Sequence, residues 1–308
     1  MKEILPERIK LGGSSLTVSP MGIGTNSWGT GRQADPGVGP TIAAALDLGI
    51  NWFDTAEVYG FGGSERSLGL FLPKLGEKAV VTTKFFPMPW RLRKSDLIGA
   101  LKASLDRLQI SCVDLYLIHF PAPPVSIEAW MEAMAEAKNA SLVRAIGVSN
   151  FNMEQTRQAH AALAKFELPL ACNQVEYNLL KRVVEQNGLL KVCHELDVAL
   201  VAYHPIASGL LTGRDSPGFK PAGPRSHYFS STTLHRIAPL IRQMQEIGQT
   251  HGKSPTQVAL NWILCKGALP IPGAKDAAHA VENAGALGWR LEEAEINALD
   301  QASDNLDR

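Results

Sequence analysis

Little in this sequence indicates a chain held together by disulfides or built around a metal. Its 308 residues include four isolated cysteines, none in a Cys-x-x-Cys pair: Cys112, Cys172, Cys193 and Cys265. The eight histidines are scattered, and Cys193-His194-Glu195 has no partner at metal-ligand spacing. We therefore expect reduced core thiols and no bound metal, a pattern typical of a cytoplasmic protein.

A net charge and long apolar runs are absent as well. Thirty Lys and Arg residues balance thirty Asp and Glu residues, and no block of one sign suggests a nucleic-acid groove or an acidic lipid surface. Apolar stretches are interrupted well before the roughly 18 residues that a membrane-spanning helix needs. Residues 1–7 have neither the basic start nor the apolar core of a signal peptide. We expect a cytoplasmic location, a small-molecule ligand, and no nucleic-acid or membrane partner.

The sequence does contain a repeated alternation of short apolar runs and helical patterns. Eight runs have the composition of buried strands: 21–25, 51–54, 79–84, 113–119, 143–148, 171–175, 198–203 and 269–272. Apolar residues at helical spacing predict helices over 41–48, 95–108, 126–139, 153–163, 181–195, 237–251 and 256–266. The first seven runs begin roughly 30 residues apart, as strand-plus-helix repeats do. Eight repeats predict an α/β fold, a (β/α)8 TIM barrel that forms a single domain over residues 1–308.

Two segments lie outside that repeat. Residues 8–18 contain two short extended runs around Gly12-Gly13, which predicts a β-hairpin at the floor of the barrel. The interval after the seventh strand is far longer than the others and begins with residues 208–228, which are rich in Gly, Pro and Ser. Because a loop of about 20 residues in a compact domain is usually functional or disordered, we expect it to lie over the active site.

Polar residues recur where the predicted strands end. In a parallel barrel these ends and the loops that follow them form the site. In chain order the residues are Asp54, Tyr59, Lys84, His119, Ser149, Asn150, Asn173, Gln174, Tyr203 and His204. Any one of them alone is as readily an N-cap or a loop hydrogen-bonding group. Four titratable groups at successive strand ends are harder to explain in that way.

Asp54, Tyr59, Lys84 and His119 together describe a proton donor beside a carbonyl group. A tyrosine hydroxyl has a pKa of about 10 in water. We expect the Lys84 ammonium to lower the pKa of Tyr59, and the Asp54 carboxylate to hold the lysine charged and oriented. A neutral His119 ring would then hydrogen-bond the same substrate oxygen.

The segments around these residues resemble the aldo-keto reductases. Residues 49–60 (GINWFDTAEVYG) resemble the signature that carries the family's aspartate and tyrosine. Thr83-Lys84 resembles the lysine strand, residues 114–119 (DLYLIH) the histidine strand, and residues 146–151 (IGVSNF) the carboxamide-binding segment. The resemblance covers nearly the whole chain. It implies hydride transfer between a carbonyl compound and its alcohol, with a catalytic tetrad of Asp54, Tyr59, Lys84 and His119.

In that tetrad, Tyr59 is the implied general acid in reduction and general base in oxidation. The resemblance also implies a nicotinamide cofactor that stacks on Tyr203. The implied cofactor contacts are Gly24, Thr25, Asp54, Ser149, Asn150, Gln174, Tyr203, His204, Pro205, Ser208, Gly209, Leu210, Gly273, Lys275, His279, Glu282 and Asn283. The implied substrate pocket consists of Trp28, Tyr59, Trp90, His119, Phe120 and Tyr228.

Three positions depart from the family's usual pattern. His204 stands where Ser is common. Asp276, which follows Lys275, and His279 stand where the family often has Asn, Ser or Arg and Gln or Arg, respectively, in the part that would contact the adenosine ribose. A 2′-phosphate needs positive charge, which Lys275 supplies and Asp276 opposes. We therefore expect NADP(H) to be preferred, with NAD(H) possible.

Other functions fit the sequence less well. A cofactor-binding, redox-sensing subunit with little catalysis is the main alternative, and turnover of any carbonyl compound would distinguish the two. Residues 22–27 are one residue short of a dinucleotide fingerprint and precede a Gly-rich loop instead of a helix. Asp54 with Glu57 as a glycosidase pair would leave Lys84 and Tyr59 unexplained. Neither the substrate nor the oligomeric state follows from the sequence.

Overall fold

Eight parallel strands form the centre of the molecule. The computed structural model describes residues 7–29, 32–213, 229–304 and 306. The strands are β3 (Ile23–Gly24), β4 (Trp52–Asp54), β5 (Val80–Phe85), β6 (Val113–Ile118), β7 (Val143–Ser149), β8 (Cys172–Glu176), β9 (Ala199–Tyr203) and β10 (Leu269–Pro270). Each pairs in parallel with the next along the chain. All eight coincide with predicted strands, and the (β/α)8 barrel is confirmed.

The ring closes where its first and last strands meet. The Gly22 amide donates to the Pro270 carbonyl at 3.1 Å, and the Gly24 amide donates to the Pro272 carbonyl at 2.9 Å. A Cβ atom at Gly24 would lie 3.0 Å from the Ile271 carbonyl oxygen. The seam therefore brings two backbones so close that a glycine is favoured at this position.

The predicted N-terminal hairpin is also confirmed. Strands β1 (Ile9–Lys10) and β2 (Thr17–Val18) pair antiparallel. Leu11 and Val18 pack into an apolar cluster with Trp52 and other side chains inside the barrel. A Cβ atom at Gly12 would lie 2.5 Å from the Ala171 carbonyl oxygen, at the start of β8. The hairpin thus covers the end of the barrel at which the strands begin.

Helices cover the outside of the ring. They are α1 (Gly39–Asp47), α2 (Gly63–Gly69), α3 (Leu72–Leu75), α4 (Lys94–Leu108), α5 (Ile127–Asn139), α6 (Met153–Ala164), α7 (Val183–Gln186), α8 (Leu189–Glu195), α9 (Ser231–His251), α10 (Pro255–Cys265), α11 (Ala277–Ala284) and α12 (Glu293–Asp304). Their buried faces pack on the outer side of the strands, as where Trp130 meets Phe85 at 5.2 Å between ring centroids. A buried side chain such as Phe85 contributes about 1.5–3 kcal/mol. This packing holds the strand ends, and so the site, in fixed positions.

The structure corrects two of the predicted helices. The helix predicted over 181–195 is divided into α7 and α8, because Gly188 adopts a left-handed conformation (φ 77°) between them. The helix predicted from residue 237 begins at Ser231, where the Ser230 side chain accepts a hydrogen bond from the Thr233 amide at 3.1 Å. Helices α2, α3, α11 and α12 were not predicted; α2, α3 and α11 have only seven, four and eight residues, whereas the 12-residue α12 was missed.

The loop predicted over 208–228 falls only partly within the described residues. Its beginning forms a short 3-10 helix, Ala207–Thr212, in which Ser208 and Gly209 have left-handed backbones. Residues 214–228, including Tyr228, lie outside the described residues. Among the helices that are described, none is both long and apolar enough to cross a membrane.

Candidate active site

A cavity of about 510 Å³ opens at the carboxyl ends of the strands. This volume lies in the usual range for small-molecule sites, roughly 300–1,000 Å³. The predicted residues that line it are Gly24, Thr25, Asp54, Tyr59, His119, Phe120, Ser149, Asn150, Gln174, Tyr203, His204, Pro205, Ser208, Gly209, Gly273, Lys275, His279, Glu282 and Asn283. Residues that are far apart in the chain therefore meet at one edge of the barrel, as the strand-end argument predicts.

A buried ion pair lies beneath this cavity. The Lys84 ammonium donates to Asp54 Oδ1 at 2.5 Å and to the Thr55 carbonyl oxygen at 2.7 Å. Gln174 Nε2 donates to the other carboxylate oxygen of Asp54 at 2.7 Å. Burial lowers the pKa of Lys84, but the charges of Asp54 and Tyr59 outweigh burial and leave it raised. The lysine is therefore an ammonium at neutral pH, although it is fully buried.

Tyr59 stands beside this ammonium, with Lys84 Nζ 5.0 Å from the centroid of its ring. Burial raises the pKa of the Tyr59 hydroxyl, and the Lys84 ammonium only partly opposes that effect. The expectation of a lowered Tyr59 pKa is therefore wrong, because desolvation of the phenolate outweighs the nearby positive charge. The hydroxyl keeps its proton at neutral pH and is available as a donor.

His119 forms the next part of the wall. Its ring meets that of Tyr59 edge-on, with centroids 6.0 Å apart, and stacks on Phe120 at 4.8 Å. Burial, with a smaller contribution from the Lys84 charge, lowers the pKa of His119 to about 3. The ring is therefore neutral, as expected. Within the described part of the chain its Nδ1 atom is buried without a hydrogen-bond partner, so we expect the proton to be on Nε2.

The ends of β7, β8 and β9 are joined by side-chain hydrogen bonds. Asn150, whose backbone is left-handed (φ 60°), donates through Nδ2 to the His119 carbonyl at 3.0 Å. Its Oδ1 accepts from the Tyr203 hydroxyl at 2.9 Å. Ser149 Oγ donates to the Gln174 carbonyl at 2.8 Å. The Tyr203 ring is thus held in one orientation at the cavity wall.

The opposite end of the cavity is open to solvent. Asp276 begins α11, where its Oδ1 accepts from the His279 amide at 2.9 Å and contacts the His279 ring at 2.7 Å. The two side chains remain 59% and 43% exposed, respectively. Glu282 accepts from Ser254 Oγ at 2.5 Å. Lys275 lines the same end of the cavity and supplies positive charge there.

Comparison with known proteins agrees with this geometry. The model of the Aldo/keto reductase family matches residues 20–304. The chain belongs to the aldo/keto reductase family. The chain is therefore assigned to the oxidoreductases, and the resemblance found in its sequence is confirmed.

Individual aldo-keto reductases match along most of their length. The chain is 38% identical to a chloroplastic pyridoxal reductase of Arabidopsis thaliana, covering 96% of this chain and 86% of the relative. It is 31% identical to the NADP(+) aldo-keto reductase yakc of Schizosaccharomyces pombe, covering 86% and 82%. The glycerol dehydrogenase AKR11B4 of Gluconobacter oxydans superposes with a TM-score of 0.84 at 28% identity, covering 96% and 94%.

Besides Lys84, which lies beneath the cavity, four of the predicted site residues are not found in its described wall. Trp28 is buried behind it, with its indole nitrogen donating to the Ala274 carbonyl at 2.6 Å. Trp90 is 72% exposed and does not line the cavity, and Leu210 packs in an apolar cluster with Phe229. The fourth, Tyr228, lies outside the described residues. Trp28 and Leu210 thus pack in the interior. Residue type and position in a motif do not by themselves show whether a side chain packs in the interior or lines a pocket.

Six further residues line the cavity. Thr212 belongs to the loop predicted over the site, and Ile271 begins the segment 271–275 that resembles the family's adenosine site. Asn26, Ser27, Ile206 and Thr256 were not predicted. Most follow a strand or begin a helix, so their distance along the chain from a recognised site residue could have indicated them. Among the described residues, no group of three or more His, Cys, Asp or Glu side chains could hold a metal ion.

Proposed function

We propose that this chain acts as one domain over residues 1–308 and interconverts an aldehyde or ketone with its alcohol, using NADP(H) in preference to NAD(H). The observation that carries the proposal is the arrangement of Tyr59. Its protonated hydroxyl stands beside a fully buried ammonium, Lys84, and a neutral ring, His119, at the wall of one cavity. Such a site can donate a proton to a carbonyl oxygen and stabilise the phenolate that remains.

The residues of the cavity fit a dinucleotide. Tyr203 offers a fixed aromatic face, and Ser149, Asn150 and Gln174 offer amide and hydroxyl groups beside it. At the other end a Cβ atom on Gly273 would find only the Gly24 carbonyl oxygen, at 3.8 Å, so the wall is open there. The left-handed turn at 208–209 lies between the two ends. When bound, the nicotinamide would supply or accept the hydride.

Each member of the tetrad then has a separate role. Tyr59 donates its proton to the substrate oxygen in reduction and takes it back in oxidation. The Lys84 ammonium stabilises the phenolate, and Asp54 holds the lysine in place through the 2.5 Å contact. The His119 Nε2–H group directs the oxygen toward Tyr59. In these roles none of the four side chains acts as a metal ligand.

Two observations support a preference for NADP(H). Lys275 provides a cation at the open end of the cavity, and the Asp276 carboxylate is already paired with His279. Because this carboxylate is exposed, water and salt screen its repulsion of a 2′-phosphate. The relative from Schizosaccharomyces pombe carries NADP(+) in its name, which agrees with this preference.

An aromatic aldehyde is the first substrate class to examine. The Arabidopsis relative is named a pyridoxal reductase. In this chain Phe120, with one face on the His119 ring, lines the cavity next to Tyr59. A planar ring bound beside Phe120 would gain stacking contact while its aldehyde faced the tyrosine.

The test combines a binding measurement with a rate measurement. Protein fluorescence is titrated with NADPH and NADH, and NADPH consumption is then followed with pyridoxal and a panel of other aldehydes and ketones. We expect tighter binding of NADPH and turnover of at least one aldehyde. Tight binding with no turnover of any carbonyl compound would contradict the proposal and favour a redox-sensing subunit.

A further inference from the structure

Two adjacent residues of α2 contact the two strands that carry the Asp54–Lys84 pair. Ser64 and Glu65 are both fully buried, and neither lines the cavity. Ser64 reaches the segment that follows β4, and Glu65 reaches β5. Because α2 lies outside the ring, these contacts connect the helix layer to the position of the buried ion pair.

Ser64 joins a chain of buried hydroxyl groups. Its Oγ lies 2.8 Å from Thr55 Oγ1 and 2.7 Å from Thr25 Oγ1, and Thr25 Oγ1 donates to the Asp54 carbonyl at 2.9 Å. Since each hydroxyl has one hydrogen, the chain can run from Thr55 through Ser64 and Thr25 to Asp54. The Thr25 carbonyl, 2.9 Å from Ser64 Oγ, is an alternative acceptor. Either way Ser64 connects Thr55 with Thr25.

Glu65 acts on the neighbouring strand. Its Oε1 accepts from Thr83 Oγ1 at 2.6 Å, and its Oε2 accepts from Arg107 Nε of α4 at 2.6 Å. A buried carboxylate is costly unless it is paired, so this contact strongly favours one position of Thr83. Thr83 immediately precedes Lys84, and its side chain points away from the ion pair.

The two sets of contacts converge on the lysine ammonium. Thr55 carries the hydroxyl that Ser64 contacts and also the carbonyl to which Lys84 Nζ donates at 2.7 Å. A shift of Thr55 therefore shifts the ammonium relative to Tyr59. A shift of Thr83 moves the backbone from which the lysine side chain extends.

We propose that Ser64 and Glu65 are positioning residues that set the distance between the Lys84 ammonium and the Tyr59 hydroxyl. The inference rests on the proposed role of Tyr59 as proton donor. Ser67 of the same helix provides a contrast. It is also fully buried, but its hydroxyl donates to the Gly63 carbonyl and accepts from the Asp35 amide, both at 2.8 Å, and these contacts reach neither strand.

The experiment compares Ser64→Ala, Thr55→Val and Glu65→Gln with the control Ser67→Ala. Steady-state aldehyde reduction gives kcat and KM, and the pH profile of alcohol oxidation gives the midpoint at which Tyr59 loses its proton. NADPH fluorescence titration verifies that each variant is folded. The Thr55→Val substitution replaces the hydroxyl by a methyl group of similar size, so it removes the hydrogen bond with little change in side-chain shape.

We expect kcat to fall about 10- to 100-fold in the first three variants, as for a misplacement of about 1 Å, with KM nearly unchanged. The midpoint should move to higher pH, because an ammonium that has withdrawn from Tyr59 favours the phenolate less. Ser67→Ala should keep both kcat and the midpoint.

Three results would contradict these expectations in different ways. Unchanged kcat and midpoint in Ser64→Ala and Thr55→Val would overturn the positioning role. If Ser67→Ala lost as much kcat as the other variants and no variant shifted the midpoint, the contacts of Ser64 and Glu65 would serve only to pack the helix. That result would also overturn the positioning role. Absence of turnover in the unmodified chain would overturn the proposed function itself. This result is distinguishable from failure of the positioning role, because it is observed before any residue is substituted.

Discussion

Hydrogen-bonded side-chain pairs lie near the two ends of the cavity, in opposite environments. At the inner end Lys84 and Asp54 are almost completely excluded from water, with side chains 0% and 3% exposed. At the outer end Asp276 and His279 are 59% and 43% exposed. A charge in the interior acts strongly on its neighbours, whereas an exposed charge is screened by water and salt. The inner pair is therefore suited to promoting proton transfer. The outer pair can change the relative affinity for NADPH and NADH only modestly.

The largest expected effect is at the inner end, in Tyr59→Phe. The substitution removes the hydroxyl that donates the proton, and we expect kcat to fall by roughly 10²–10⁴-fold. NADPH affinity should hardly change, because the Tyr203 face remains. Steady-state rates and fluorescence titration measure the two quantities.

Tyr177→Phe is the matched control for that variant. The Tyr177 hydroxyl donates to Glu185 at 2.9 Å, and Tyr177 does not line the cavity. Loss of this hydroxyl should leave kcat within about twofold. A Tyr59→Phe enzyme with near-normal kcat would show that another group donates the proton.

The second prediction concerns the stability of the inner end. Lys84→Met keeps the length of the side chain but leaves the Asp54 carboxylate buried without its cation. Breaking such a pair costs about 3–5 kcal/mol of unfolding free energy, which urea denaturation measures. The double variant Lys84→Met, Asp54→Leu should recover part of this loss, because it removes the uncompensated charge. No recovery would mean that the cost comes from packing.

The third prediction is a dependence of stability on pH. The folded-state pKa of His119, about 3, lies below the value of about 6.5 in an unfolded chain. Between these values only the unfolded chain binds a proton at this site. The stability present above pH 6.5 is therefore lost as the pH falls, by at most about 3 kcal/mol at pH 4.

A His119→Asn variant should lose this part of the pH dependence. The comparison is made by urea denaturation at several values between pH 7 and pH 4. The same substitution at the exposed His235 serves as the control. Identical slopes for the unmodified chain and His119→Asn would show that His119 is not buried in its neutral form.

The smallest expected effect is at the outer end, in Asp276→Asn. Asparagine also caps helices well, so α11 should persist. Removal of the negative charge should raise affinity for NADPH relative to NADH by a few-fold, about 2- to 5-fold, and the gain should shrink at high salt. An unchanged ratio of the two dissociation constants would mean that Asp276 does not face the ribose.

The inner end was the easier half to predict from the sequence. Asp54, Lys84 and His119 terminate apolar runs, and parallel strands place their ends at one edge whatever the loops do. The positions of the eight strands follow from the same pattern. By contrast, a polar residue of a loop or of a helix start carries no period. Only their closeness to Thr25 along the chain could have indicated Asn26 and Ser27, and Thr256 could not be identified.

Burial was the property that the sequence could not supply. The resemblance implied that Trp28 lines the substrate pocket and that Leu210 contacts the cofactor, yet neither side chain lines the cavity. The pKa of Tyr59 was predicted in the wrong direction because the cost of desolvating its anion depends on everything that surrounds it. Ser64 and Glu65 look like ordinary polar residues of a Gly-rich turn until their hydrogen bonds are seen.

The closure of the ring has a consequence for biosynthesis. The segment of β10 and Pro272 pairs with the first strand of the barrel through the carbonyls of Pro270 and Pro272. A growing polypeptide therefore cannot seal its barrel until Pro272 has left the ribosome, long after Asp54 and Lys84, and Lys275 and His279 emerge later still. Asp54 and Lys84 emerge early, so during synthesis their charges stay in contact with water until the later strands have been made, and the cost of burying them arises only when the barrel closes.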